Sequence, residues 1–235
     1  MRSTWLFACL AVGVVLVWTT PAMAQYRSTS FGFDVGYWLI QKPSITENGK
    51  IIASPDNRPL RLSNGWRLGG ETNFKMSSDH WWFSGRVNVG ILSYPDPTID
   101  SKSTAADKFD HEASKALGTL LGVEAGIGVR YIIFTDRVRP YLQLSLSYLR
   151  LFTFADAAGA DCSGADVVGC TDGSSNSTDY LPHPNVGGIH LQPGLEYVFT
   201  RDMAINVFAD VQRWLLFNAP GNFGVVVGIG ILWFT

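Results

Sequence analysis

Residues 222–234 read NFGVVVGIGILWF, and their alternation decides the fold. Phe223, Val225, Val227, Ile229, Ile231 and Trp233 share one face, whereas Gly224, Val226, Gly228, Gly230 and Leu232 share the other. Successive side chains of a strand point to opposite faces, so a period of two marks a strand with one broad apolar face. The same period runs through 117–134. There Leu117, Leu121, Val123, Ala125, Ile127, Val129, Tyr131 and Ile133 oppose Gly118, Gly122, Glu124, Gly126, Gly128 and Arg130. Further on, Leu142, Leu144, Leu146 and Tyr148 oppose Gln143, Ser145 and Ser147. Carried along the chain, the pattern predicts strands near 31–41, 62–76, 80–94, 117–134, 138–154, 185–199, 203–217 and 222–234.

Composition says where such strands can live. Only 16% of residues are charged, against about 25% in an ordinary soluble domain. Yet after residue 24 no run of apolar residues is long enough for a spanning helix, which needs about 18 or more. In hydrocarbon only helices and closed barrels satisfy every backbone group. The fold expected is therefore all-β: an eight-stranded antiparallel up-and-down transmembrane β-barrel, formed by residues 25–235 as one domain. The formal net charge of −2 excludes the basic surface that nucleic-acid binding requires.

The first 24 residues read as a cleavable export signal. Arg2 precedes the apolar run Trp5–Trp18, and Ala22-Met23-Ala24 fits the small-x-small cleavage pattern. Cys9 would leave with it. The remaining pair, Cys162 and Cys170, is expected to form a disulfide closing one short loop of an exported protein.

Connections alternate in length. Ser77-Ser78-Asp79, Thr135-Asp136-Arg137 and Thr200-Arg201-Asp202 are short, as is Asn218-Ala219-Pro220-Gly221; the long ones fill 42–61, 95–116 and 155–184. Short periplasmic turns and longer outer loops are the usual asymmetry of such barrels, which puts both termini in the periplasm. Within the second loop, Ser103–Leu117 (STAADKFDHEASKAL) has the composition of a short helix. The third carries Asp156, Asp161, Asp166, Asp172 and Asp179 without a Lys or Arg. Hydration alone accounts for such a loop; calcium, which takes oxygen ligands, is the alternative, and its spacing matches no EF-hand.

Aromatic residues gather at strand ends: Trp81, Trp82, Phe83, Tyr131, Phe134, Tyr197, Phe199, Trp233 and Phe234 at the turn end; Tyr94, Phe152, Phe154, Trp214 and Phe217 at the loop end. They are expected to form girdles at the two membrane interfaces. With the apolar faces toward lipid, the lumen receives Asp34, Arg67, Glu71, Lys75, Arg86, Glu124, Arg130, His190, Glu196 and Asp210. An eight-stranded barrel has room inside only for side chains, and buried charges must pair. The set is therefore expected to be a structural ion-pair network. Arg150 and Arg213 fall on the lipid-facing phase, through snorkelling at the interface or through a local bulge.

The strand count, the loop asymmetry and the ending GVVVGIGILWFT resemble the eight-stranded outer-membrane proteins related to the OmpA transmembrane domain and OmpX. That family ends on an aromatic residue read by the barrel assembly machinery; here Phe234 is penultimate and Thr235 last. The resemblance implies a Gram-negative outer-membrane location, with outer-membrane lipids and lipopolysaccharide as neighbours and no peptidoglycan-binding domain after the last strand. The fold hosts many roles, and the leading expectation is a non-enzymatic structural or interaction protein whose outer loops touch lipopolysaccharide or protein partners. An outer-membrane subunit of a trans-envelope assembly for secretion or gliding is a variant that no motif selects. A lipid A-modifying enzyme and a narrow solute channel are the alternatives. For the enzyme, His190 lacks a serine at the expected neighbouring position and faces the lumen, so it belongs with the network. His111-Glu112-Ala113-Ser114 lies in a polar loop and is a weaker candidate still. No catalytic residue, cofactor or metal site is expected. For the faces, Val227→Lys should destabilise by about 2–4 kcal/mol, and Gly228→Ser by much less.

Overall fold

The computed structural model describes residues 28–54, 57–153, 181, 183–216 and 219–235. The expected signal segment and the Cys162/Cys170 pair lie outside them, as do the acidic stretch 156–179, Phe154 and Phe217.

The chain forms β1 (Thr29–Ile40), β2 (Thr46–Glu47), β3 (Lys50–Ile51), β4 (Gly65–Lys75), β5 (Trp81–Ser93), α1 (Ala105–Leu117), β6 (Thr119–Ile132), β7 (Val138–Thr153), β8 (Asn185–Thr200), β9 (Met203–Leu215) and β10 (Phe223–Phe234). β2 and β3 make a small hairpin whose Asn48-Gly49 turn takes positive φ at both residues, as a tight two-residue hairpin requires. The other eight strands pair antiparallel with their chain neighbours, and β10 returns to β1 to close the barrel. Thus Ser30 lies opposite Phe234 on one side and opposite Asn73 on the other.

Alternation sets the two surfaces. Phe33, Leu68, Val87, Ile127, Leu144, Val207 and Ile229 are among the apolar side chains exposed on the outside. Arg67, Arg86, Glu124, Arg130, His190, Glu196 and Asp210 are buried inside. A soluble barrel has the reverse arrangement; this exterior suits hydrocarbon. Among the described residues no helix is long and apolar enough to cross a membrane, and the crossing elements are strands.

Several expectations need correction. The strand expected at 62–76 begins at Gly65, because residues 60–62 turn inward to pack Leu60 and Leu62. The strand expected at 117–134 begins at Thr119 and ends at Ile132. Leu117 instead closes α1, which stops at Gly118 with φ 60, a conformation that favours glycine. At its other end Thr104 Oγ1 accepts from the Asp107 N–H at 3.2 Å, while the Thr104 N–H donates to Asp107 Oδ2 at 2.8 Å. This capping box starts the helix, and the Thr104 hydrogen bonds hold the Asp107 carboxyl below its usual range.

Among the girdle aromatics, Trp81, Phe83, Tyr131, Phe134, Phe199 and Trp233 are exposed at the turn end. Trp82, Tyr94, Trp214 and Phe234 are not in the girdles; all four are buried. Clustering at strand ends does not say which face a ring takes, and these four fall on the inward phase or in the loop packing. For Arg150 and Arg213 the bulge alternative fails. Their ladders run in register on both sides, and the one shift between β8 and β9 lies between Val198 and Thr200. Both side chains are exposed on the outer surface, Arg150 over Phe152 at 5.0 Å and Arg213 over Phe223 at 4.3 Å.

Gly228 also needs correction. A Cβ there would meet the Phe208 ring and stand 2.8 Å from the Val35 carbonyl oxygen, so Gly228→Ser is not mild. Gly224 is the proper control, since its nearest neighbours would be 3.7 and 3.8 Å away. Val227, half-exposed in mid-strand, should lose about 2–4 kcal/mol as Lys. Gly224→Ser should lose about 1 kcal/mol or less. Urea unfolding in lipid vesicles measures both; the opposite ranking would mean that the faces are inverted.

Candidate functional site

The interior is organised around two buried polar nodes. The first is Asp210 on β9, fully buried. Its Oδ2 accepts from Arg86 Nη1 at 3.0 Å, Arg67 Nη1 at 3.4 Å and Gln212 Nε2 at 3.0 Å, and lies 3.1 Å from His190 Nδ1. Arg67 also reaches Asp34 Oδ1 at 3.1 Å. Across the ring, His190 Nε2 is 2.9 Å from Glu124 Oε1, and Glu124 Oε2 accepts from Asn88 Nδ2 at 2.7 Å.

The second node is Arg130 on β6. It donates to Glu196 Oε1 and Glu71 Oε2, each at 2.7 Å, and to Gln143 Oε1 at 2.8 Å, while lying over the Tyr141 ring at 4.3 Å. Gln192 joins the nodes: its Oε1 accepts from Arg86 at 3.0 Å and its Nε2 donates to the Tyr141 hydroxyl at 2.9 Å. Tyr141 donates onward to Asn206 Oδ1 at 3.0 Å.

Most of the charges expected in the lumen thus meet there, but Lys75 does not join them. It pairs with Asp79 at 2.5 Å at the partly exposed turn end. Sequence reading missed Arg139, buried below the second node with its guanidinium 5.2 Å from the Phe234 ring. Counting Arg139 with Arg67, Arg86, Arg130 and a protonated His190 balances Asp34, Glu71, Glu124, Glu196 and Asp210. Arg139 lies on the lumen phase with Gln143 and Ser145, so alternation could have found it.

Ser147 was also missed as a neighbour of His190. Ser147 and His190 lie on adjacent strands, and Ser147 Oγ stands 2.5 Å from His190 Nε2. Together with Asp210 at Nδ1, this has the outline of a hydrolase Ser–His–Asp string. The chemistry differs. A general base needs a free lone pair on the nitrogen facing the serine, but here both ring nitrogens face carboxylates. At Nε2 the hydrogen bond is the one with Ser147; the two carboxylates form ion pairs with the ring when it is protonated, and in that form it cannot take the serine's proton.

At the loop end the network gives way to an apolar plug. Trp38 Nε1 donates to Gln212 Oε1 at 2.8 Å, and its ring meets Trp214 edge-on at 6.4 Å. Beyond them Leu60, Leu62, Tyr94, Ala113 and Leu117 from the loops and α1 pack against lumen-facing Leu92, Leu120, Leu149 and Val226. The plug is pinned by a buried pair that the sequence did not reveal. Arg61 donates to both Asp110 oxygens, at 2.9 and 2.5 Å, and to the Pro43 carbonyl. Asn222 Nδ2 donates to the Leu60 carbonyl. Burial and the nearby Asp110 charge push the Tyr94 hydroxyl well above its usual range. Among the described residues no cluster of His, Cys, Asp and Glu is suited to a metal ion.

A closed, even-numbered antiparallel barrel with a lipid-facing apolar exterior and a charged interior defines an eight-stranded transmembrane β-barrel of the outer-membrane type. Among solved structures the chain is similar to neisserial surface protein A (NspA), with 12% identity, a TM-score of 0.49, and coverage of 88% of this chain and 97% of that one. It is similar to OprG from Pseudomonas aeruginosa, with 10% identity, a TM-score of 0.47 and coverage of 90% and 99%. It is also similar to Ail, the attachment invasion locus protein of Yersinia pestis, with 8% identity, a TM-score of 0.43 and coverage of 89% and 99%. No protein-family profile and no curated protein matches the chain.

The geometry ranks two charge deletions. Arg130→Met leaves Glu71 and Glu196 without their cation inside the barrel and should cost about 3–5 kcal/mol. Lys75→Met removes a solvent-screened pair and should cost at most about 1 kcal/mol. Equilibrium unfolding in vesicles tests the ranking, and equal small losses would show the lumen to be hydrated enough to solvate a bare carboxylate.

Proposed function

We propose that this chain is a non-enzymatic protein of the bacterial outer membrane, with its termini in the periplasm and its long loops outside. Its role is structural or interactive, exerted where those loops meet lipopolysaccharide or protein partners. Membership of a trans-envelope assembly, for secretion or gliding, is the form of this role in which the barrel anchors other subunits. Residues 1–24 act as the export signal, and the barrel assembly machinery inserts the mature chain.

One observation supports this reading above the others. Ion pairs fill the lumen and the plug held by Arg61 and Asp110 lies over its loop end, so the described residues leave little room for a solute path. What the barrel presents to its surroundings is surface. The alternative of a lipid A-modifying enzyme draws on the Ser147–His190–Asp210 string, and the second carboxylate on His190 counts against it.

Planar bilayers carrying the refolded protein should show no unitary conductance steps, and lipid A mass spectra should be identical with and without it. Steps would establish a channel instead. A lipid A mass shift abolished by Ser147→Ala would establish the enzyme.

A further inference from the structure

A groove of about 860 Å³ lies on the outside of the barrel, facing the membrane. It follows the hydrogen-bonding direction. Its backbone floor runs through Gly32, Glu71, Arg86, Gly126 and Ser147, each the ladder partner of the next. Outward positions beside that line are small at Gly70, Gly85 and Ala125, while Phe33, Val87 and Tyr148 stand as walls. A Cβ at Gly70 would find its nearest atom at 3.9 Å and one at Gly85 at 3.5 Å, so the space is real.

The groove climbs across the bilayer. On β1 it lies near the strand's turn-end start, and on β7 it has passed the middle toward the loop end. Four strand spacings make it roughly 19 Å long, close to an extended long-chain acyl group. Its upper end is Tyr148, and the next outward residue on β7 is Arg150. Arg150 is exposed on the lipid side; its Nη1 donates to Asn185 Oδ1 at 3.4 Å, and Tyr148 Oη donates to the same oxygen at 2.6 Å. A cation therefore stands at the interface, at the head of an apolar slot.

We infer that this groove holds one acyl chain of a phosphorylated glycolipid, the lipid A of the outer leaflet, with a phosphate on Arg150. An arginine fork matches phosphate geometry, and the slot beneath accepts only hydrocarbon. The assignment rests on the proposed orientation with the loop end outside, and it gives the lipopolysaccharide contact a defined place on the barrel wall.

The test is native mass spectrometry of the detergent-refolded protein, titrated with bisphosphorylated lipid A, dephosphorylated lipid A or phosphatidylglycerol. Bisphosphorylated lipid A should be retained at least tenfold better than either competitor. Gly85→Leu, which fills the groove, and Arg150→Gln should each reduce that retention at least fivefold. Arg213→Gln, two strands away, should not. Wild-type retention by Gly85→Leu or Arg150→Gln overturns the inference, as does equal loss in Arg213→Gln or equal retention of phosphatidylglycerol. Unboiled gel migration confirms that each variant has folded, and Gly70→Leu replaces Gly85→Leu if that variant does not fold. Protease accessibility of the loops on intact cells reports the orientation separately, so an error there is distinguishable from an empty groove.

Discussion

Asp210 sits where no water can reach it and accepts from two arginines and a glutamine while facing a histidine. A lone carboxylate in that position would carry a large desolvation penalty. The penalty follows from barrel geometry: eight strands close around a space that side chains alone fill, and the outward faces are committed to lipid. The charged groups that fill the inside must then find their counter-charges inside. The two nodes at Asp210 and Arg130, joined by Gln192 and Tyr141, follow from that constraint. So does the plug, since the apolar loop residues Leu60 and Leu62 gain burial only by covering the network's loop end.

The sequence was most legible where one rule governed a whole strand. Alternation in β5, β7, β9 and β10 separated the two faces correctly because membrane and lumen make opposite demands on successive residues. It misled at Leu117, whose spacing to Leu121 continued the strand period although Gly118 breaks the chain direction there. It was silent on Trp82 and Trp214, because an aromatic residue at a strand end suits either an interface girdle or an end layer of the interior. Which charges meet was not legible at all. The contact between Ser147 and His190 depends on the register of β7 against β8, a long-range quantity that no local pattern carries. The pair Arg61–Asp110 is likewise invisible without the fold, joining a loop before β4 to the middle of α1.

The filled interior also decides how function should be sought. A site on such a barrel is its outer wall or its loop end, since the inside is occupied by the groups that hold the barrel together. The Ser147–His190–Asp210 string shows how close a structural network can come to catalytic geometry. One extra carboxylate, Glu124, distinguishes the two, its Oε1 standing 2.9 Å from the same imidazole nitrogen that Ser147 reaches.

The ladder between β1 and β10 joins the beginning of the barrel to its end, with Phe31 opposite Trp233 and Tyr37 opposite Val227. No partial chain can form it. Until β10 is present, β1 and β9 each present an open edge, and hydrocarbon offers that edge no hydrogen-bond partners. Contacts of such long sequence separation form slowly, so a growing chain would wait with unsatisfied strands. Assembly must therefore follow completion of the chain, with both edges shielded by something other than lipid until they meet. Closure of that seam is the step at which the inserted strands become a self-sufficient membrane protein.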